Sequence, residues 1–83
     1  MKKSTALMLE GKRRFIREVE KLLAEDARNN QVESLVYEVA FGEDDRYEEY
    51  IHIVYEGGYK KKIVATSNSH GENLKAIVAE VYR

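Results

Sequence analysis

The chain has 83 residues, with 14 Lys and Arg against 15 Asp and Glu, and its formal net charge is -1. This length predicts a single domain over residues 1–83, and the balanced charge argues against a general nucleic-acid binder, which is usually strongly basic. The lack of cysteine excludes disulfides and thiolate metal sites and favours a cytoplasmic protein, and no run approaches the roughly 18 to 20 apolar residues of a membrane span.

Apolar residues recur in pairs seven positions apart in the first third of the chain, which predicts one face of a helix over residues 5–28. Ser4 is expected to cap its first turn, and the asparagines at 29 and 30 are expected to close its C-terminus. Gly11 lies inside the pattern, where it is expected to kink the helix or to separate its first turns. The apolar positions are Met8, Leu9, Phe15, Ile16, Val19, Leu22 and Leu23.

Three runs with a period of two follow and predict β-strands: VESLVYEVAFG, YEEYIHIVY and YKKKIVATS. A loop at 42–46 would pair Phe41 with Tyr47 and Tyr37 with Ile51. A three-residue loop over Glu56, Gly57 and Gly58 would pair Ile51 with Ile63 and keep Lys60 and Lys62 off the core, with Gly58 in the left-handed conformation of a G1 bulge. The apolar faces of the three strands then agree.

The last segment predicts a second amphipathic helix with Leu74, Ile77, Val78 and Val81 on its apolar face. Ser69 and Glu72 form a Ser-x-x-Glu capping box that places the helix start at His70. The predicted fold class is α+β, with the order α-β-β-β-α: a three-stranded antiparallel meander and two helices packed on one of its faces. The other face is left to solvent.

The three lysines after the glycine turn lie on an edge strand, where lysine prevents pairing with another chain. The alternative is a phosphate-binding site, but acidic residues of the first helix would lie near that end of the sheet. A nucleic-acid patch could also combine basic residues of the first helix with two of these lysines: Lys2, Lys3, Lys12, Arg13, Arg14, Lys60 and Lys62. A solvated helix face is the simpler interpretation.

The first hairpin turn is acidic, with Glu43, Asp44 and Asp45 in succession. Such a turn could mimic nucleic-acid phosphates in the basic groove of another protein, although hairpin turns are often polar without a function. The chain has two histidines. His52 is expected on the open face beside Val36 and Lys62, while His70 is expected to be surface. No motif predicts a metal site, a cofactor or a catalytic centre.

The order of elements resembles the double-stranded-RNA-binding domain over nearly the whole chain. That family has a basic cluster at the start of its second helix and a Gly-Pro-x-His loop between its first two strands. The corresponding stretches here read SHGENL and GEDDR, and only the helix cap is shared. The same topology resembles the HicA-like toxins, ribonucleases with a strand histidine, for which His52 is the match. In size, topology and acidic turn the chain also resembles phage-borne anti-CRISPR inhibitors.

These observations favour a non-catalytic protein-binding module of a phage or mobile element, acting as an anti-CRISPR-like inhibitor of a host defence nuclease. RNA or DNA binding is the main alternative, and a ribonuclease using His52 is the third. The expected partner is another protein, such as a nucleic-acid-binding protein, or a second copy of the chain, with no membrane. The expected contact residues are the open-face patch Val32, Val36, Tyr50, His52, Val54 and Val64, rimmed by Glu38, Glu48, Lys60 and Lys62, and the acidic turn Glu43, Asp44 and Asp45.

Overall fold

The computed structural model describes residues 2–26, 28 and 31–82. Its elements are α1 (Lys3–Glu25), β1 (Val32–Phe41), β2 (Tyr47–Tyr55), β3 (Lys60–Val64) and α2 (His70–Val81). The strands form one antiparallel sheet in the order β1-β2-β3, so the middle strand of the chain is also the middle strand of the sheet. The α-β-β-β-α meander predicted from the sequence is confirmed.

Helix α1 begins and ends earlier than the sequence predicted. Its N-cap is Lys2, without a side-chain cap, so Ser4 lies inside the helix and does not cap it. The backbone leaves the helix at Asp26, which is extended, and the predicted closure at residues 29 and 30 falls outside the described residues. The helix also continues through Gly11 without interruption, because the apolar face on either side packs on the sheet and offsets the cost of a helical glycine.

Both hairpins have the predicted register. Phe41 lies opposite Tyr47 and Tyr37 opposite Ile51, and Ile51 in turn lies opposite Ile63. In the second turn the Tyr55 N–H donates to the Tyr59 carbonyl at 2.8 Å. Gly58 takes the predicted positive φ, 88°, and Gly57 takes 86°. The register therefore keeps the apolar residues of all three strands on one side.

The core lies between this side of the sheet and the two helices. Ile51 and Ile53 of the central strand are fully buried, as are Ile16 of α1 and Ile77 of α2. Helix α1 runs antiparallel to β1, since Glu20 in its second half binds the Leu35 N–H near the start of the strand. No helix in the described part of the chain is long and apolar enough to cross a membrane.

Two contacts fix α2 beside α1. The His70 ring at the start of α2 stacks on Phe15, with centroids 4.5 Å apart and planes within 9°. At the other end the Tyr82 hydroxyl donates to Asp26 at 2.5 Å. These contacts are 11 residues apart on α1 and 12 apart on α2, so the two helices run parallel. His70 is exposed, as expected, and its stacking on Phe15 also anchors the first turn of α2.

The capping box of α2 is confirmed, with Glu72 N donating to Ser69 Oγ and Ser69 N donating to Glu72 Oε1. The predicted apolar face is only partly correct. Ile77 is buried, but Leu74 and Val78 are 39% and 42% exposed. Asn73 is fully buried instead, so α2 is rotated about its axis away from the orientation that its apolar pattern predicts.

Candidate functional site

The open face of the sheet collects most of the predicted contact residues. We define it as the side chains of Val36, Glu38, Glu48, Tyr50, His52, Val54, Lys60, Lys62 and Val64. They form cross-strand rows: Val36, His52 and Lys62 lie side by side, and the next row joins Tyr50 to Glu38 and to Val64. The helices pack on the opposite side, so nothing in the described chain covers this face. Val36 is 47% exposed and Val64 61% exposed.

Tyr50 lies at the centre of the open face and is held by its neighbours. The Lys62 ammonium is 4.7 Å from the centroid of its ring, within cation–π range. The His52 ring is tilted against it, with centroids 6.4 Å apart. His52 Nε2 is also 3.0 Å from Glu38 Oε1. Four side chains from all three strands therefore restrict one another before any partner binds.

Val32 was expected on the open face and lies on the other side. It pairs with Tyr55, whereas Ser34 pairs with Val54, and the register shifts between the two. This β-bulge places one extra residue on β1 and reverses the alternation of its first residue. Val32 therefore packs against the core with Tyr55.

The acidic turn, which joins β1 to β2, lies at the opposite end of the sheet from the glycine turn, which joins β2 to β3. Glu43, Asp44 and Asp45 are all exposed. Arg46 N donates to the Glu43 carbonyl at 3.2 Å, and both central residues have positive φ, 56° and 61°. This is the geometry of a type I′ turn, which glycine or asparagine normally occupies. The turn and the lysines of β3 belong to separate ends of the molecule.

The basic residues proposed as a nucleic-acid patch do not form one surface. Lys60 and Lys62 lie on the open face, and α1 lies on the opposite side of the sheet. Lys12 is 7% exposed and donates a hydrogen bond to Glu49 at 2.8 Å. Glu10 lies within 3.6 Å of Arg13 and 3.7 Å of Arg14. The expected patch is therefore divided between two faces and has lost one of its members to the core.

Lys12 and Glu49 form a buried ionic group with Tyr37, which the sequence analysis did not identify. The Tyr37 hydroxyl donates to the same Glu49 oxygen at 2.6 Å, and Ser67 N–H donates to the other at 3.3 Å. Burial alone would raise the pKa of Glu49, but these hydrogen bonds favour its carboxylate more strongly, so its pKa lies below the ordinary value. Burial and the bond to Glu49 raise the pKa of Tyr37.

A signal for this group was present in the sequence. Lys12 follows Leu9 by three positions and precedes Ile16 by four, which puts it on the apolar face of α1. Glu49 lies opposite Val39 in the register, on the side of the sheet that faces the core. One cation and one carboxylate at core positions of neighbouring elements predict a buried pair, because a lone buried charge is too costly.

His52 contacts Glu38 through its ring. Among the described residues no other side chain lies within hydrogen-bonding distance of that ring. The described part of the chain also contains no group of three or more His, Asp or Glu side chains that could hold a metal ion.

Comparison of the chain with family models, curated proteins and solved structures gives no match.

Proposed function

We propose that this chain is a non-catalytic protein-binding module and that the open face of the sheet is its contact surface. The observation that carries the proposal is the exposed apolar centre of this face, where Val64 lies beside Tyr50 and Val36 lies beside His52. Protein contacts commonly have an apolar centre with a tyrosine or tryptophan anchor and a polar rim. The rim here consists of Glu38, Glu48, Lys60 and Lys62.

The arrangement of Tyr50 favours binding because it lowers the cost of ordering. Immobilising a flexible side chain at an interface costs about 0.5–1.5 kcal/mol. The ring of Tyr50 is already restricted by Lys62 and His52, and tyrosine has few rotatable bonds. When a partner packs on this ring, little of the interaction free energy is therefore offset by the cost of ordering the side chain.

The charges of the open face indicate the chemistry of the partner. Glu38 is paired with His52, and Glu48 accepts a hydrogen bond from Thr66 at 2.6 Å. Within the described chain, no carboxylate lies in ion-pair range of Lys60 or Lys62. The complementary partner is therefore a protein surface with an apolar centre and with carboxylates on the side that faces β3.

Single-stranded nucleic acid is the second candidate, because Tyr50 and His52 present two rings beside Lys60 and Lys62. Aromatic rings that stack bases, together with cations that contact phosphates, are typical of single-strand binding surfaces. The carboxylates of Glu38 and Glu48 on the same face oppose it by repelling phosphate. The narrower proposal of a nuclease inhibitor would depend on the charge of the acidic turn alone. We therefore confine the proposal to protein binding.

Site-specific photo-crosslinking tests the proposal. A benzophenone amino acid replaces Val64, and the matched control carries it at Leu22 of α1, which is 65% exposed on the helical side of the molecule. Both chains are irradiated in lysate of the source cells, with and without prior nuclease digestion, and the Val64 chain is repeated with Tyr50→Asp. Far-UV circular dichroism checks that each variant is folded.

The proposal expects a protein adduct at Val64 that is absent at Leu22, survives nuclease digestion and is lost with Tyr50→Asp. Equal adducts at the two positions, or an adduct that Tyr50→Asp does not change, would reject the open face. An adduct that nuclease removes would favour the nucleic-acid alternative, and so would affinity for single-stranded RNA that falls steeply with salt. A dimer-sized adduct of the purified chain alone would show that the partner is a second copy of the chain. It would reject the proposed acidic surface of another protein.

A further inference from the structure

The outer edge of β1 presents unpaired backbone groups. Gly42 N donates to the Arg46 carbonyl across the first hairpin at 2.8 Å, and this bond sets the alternation: even-numbered residues of β1 bond to β2 and odd-numbered residues point outward. The Leu35 N–H confirms the alternation, because its acceptor is the Glu20 carboxylate at 2.6 Å. The N–H groups of Tyr37, Val39 and Phe41 point the same way, and none has an acceptor in the described chain.

A groove separates this edge from α1. It consists of two hollows that share Arg13, with volumes of about 330 Å³ and 180 Å³. Because α1 and β1 are antiparallel, the two hollows lie one after the other along the strand. The first is lined by Ala6, Leu9, Glu10, Arg13, Val39 and Phe41. The second is lined by Arg13, Ile16, Arg17, Leu35, Val36 and Tyr37.

The helical wall of the groove carries two cations, Arg13 and Arg17, and one carboxylate, Glu10. The Arg13 guanidinium lies 5.6 Å from the centroid of the Tyr37 ring, and its only carboxylate neighbour in the described chain is Glu10 at 3.6 Å. Arg17 is exposed and has no carboxylate in ion-pair range there. Glu20 is engaged by the Leu35 N–H. A strand that enters this groove therefore meets cations on its α1 side.

A second copy of the chain does not fit this edge. If two β1 edges paired about a two-fold axis, the residues of the second strand on the α1 side would be Tyr37, Val39 and Phe41, which offer no carboxylate to the arginines of α1. The other free edge of the sheet, β3, carries Lys60, Lys61 and Lys62. Pairing it with β1 in one continuous sheet would put Lys61 and Ile63 on the α1 side, and Lys60 and Lys62 beside Glu38 on the open face. Neither pairing supplies an anionic partner for Arg13 and Arg17, and lysines on an edge strand oppose its pairing with another chain.

We propose that the β1 edge binds an extended acidic segment of another protein, which adds to the sheet as a fourth strand. The segment exchanges backbone hydrogen bonds with β1 from Tyr37 to Phe41, and Glu20 ends the ladder at Leu35. Since side chains alternate between the faces of a sheet, every second residue of the segment points toward α1. Those residues carry the carboxylates that pair with Arg13 and Arg17, as expected for recognition by β-augmentation.

The test uses the full chain labelled with ¹⁵N and a synthetic peptide of alternating glutamate and valine as the probe. Controls are the lysine–valine peptide of equal length and the glutamate–valine peptide methylated at the nitrogens of its two central glutamates, which removes donors needed for the ladder. The expected result is a set of amide shifts and slowed hydrogen exchange centred on Tyr37, Val39 and Phe41, seen with the unmodified acidic peptide alone.

A matched pair of charge reversals on α1 tests the pairing. Arg17→Glu is expected to weaken binding of the acidic peptide by about fivefold, because it exchanges one exposed attraction for a repulsion. Arg14→Glu reverses an exposed charge that does not line the groove and should change the affinity by less than about twofold. Equal binding of the lysine or methylated peptide, equal effects of the two substitutions, shifts centred away from β1, or no shift at millimolar peptide would each overturn the proposal.

Discussion

Replacing Lys12 with methionine is expected to destabilise the protein severely while preserving the size of the side chain. The ammonium of Lys12 is the cation of the buried group with Glu49 and Tyr37, and the two charged side chains are 9% and 1% exposed. Removing one partner of a buried ion pair costs about 3–5 kcal/mol, because the remaining charge is left uncompensated away from water. A domain of this length typically has only about 4–12 kcal/mol of stability.

The matched control is Lys21→Met on the same helix. Lys21 lies 3.3 Å from Glu18, and both side chains are more than two-thirds exposed, so the loss should be about 0.5 kcal/mol or less. The double variant Lys12→Met/Glu49→Gln removes both charges and leaves an acceptor for the Tyr37 hydroxyl. It should recover to within about 2 kcal/mol of the original chain, because a buried pair contributes little compared with its neutral replacement.

The pH dependence distinguishes an ionic effect from a packing effect. In the original chain the pKa of Glu49 is lowered on folding, so its contribution is present above about pH 4.3, the unfolded pKa, and is lost as pH falls through the folded pKa. In the variant that lacks Lys12, burial raises the pKa of Glu49 in the folded state. The free energy of unfolding of that variant therefore falls as pH rises above this pKa. The stability difference between the two chains should therefore shrink from pH 7 to pH 4.5.

The measurement is urea denaturation followed by far-UV circular dichroism at both pH values. A loss for Lys12→Met no larger than that for Lys21→Met would refute the buried ionic group. A large loss that stays constant with pH, or a double variant no more stable than the single one, would show that packing and not charge explains the effect.

Three further predictions concern stability. Gly11→Ala should stabilise α1 by about 1 kcal/mol, since no atom lies within 4 Å of the added methyl group. Gly58→Ala, at a φ of 88°, should instead destabilise the protein in the same urea titration. Changes of the same sign in the free energy of unfolding would contradict the backbone argument. Asn73 is fully buried and neither of its side-chain polar atoms has a hydrogen-bond partner among the described residues. Asn73→Leu should therefore raise the free energy of unfolding by about 1–3 kcal/mol and raise the melting temperature with it. A lower melting temperature would argue against an unsatisfied amide. Because folding raises the pKa of Tyr37, its contribution should be lost as pH rises above about 10; Tyr37→Phe should show a shallower alkaline loss in denaturation from pH 8 to 11, and parallel curves would exclude this role.

The strands, their register and the start of α2 follow from the sequence because each depends on local rules. The period of two assigns faces, the glycine turn permits one register that spares Lys60 and Lys62 from burial, and the Ser69 capping box marks a helix start. The placement of Tyr50, His52 and Val54 on the open face follows from the same alternation. The bulge that moves Val32 to the core does not, because no residue type marks it.

The tertiary structure decided the features that depend on contacts between distant elements. The rotation of α2, which buries Asn73 and exposes Leu74, goes with contacts to Phe15 of α1 and to Asp26 just after it, which are distant in the sequence. The groove along β1 likewise exists only where α1 crosses the strand. Hydrophobic periodicity identifies the face of a helix to within a broad arc, but its final rotation minimises the free energy of the whole packed core, to which every neighbouring element contributes.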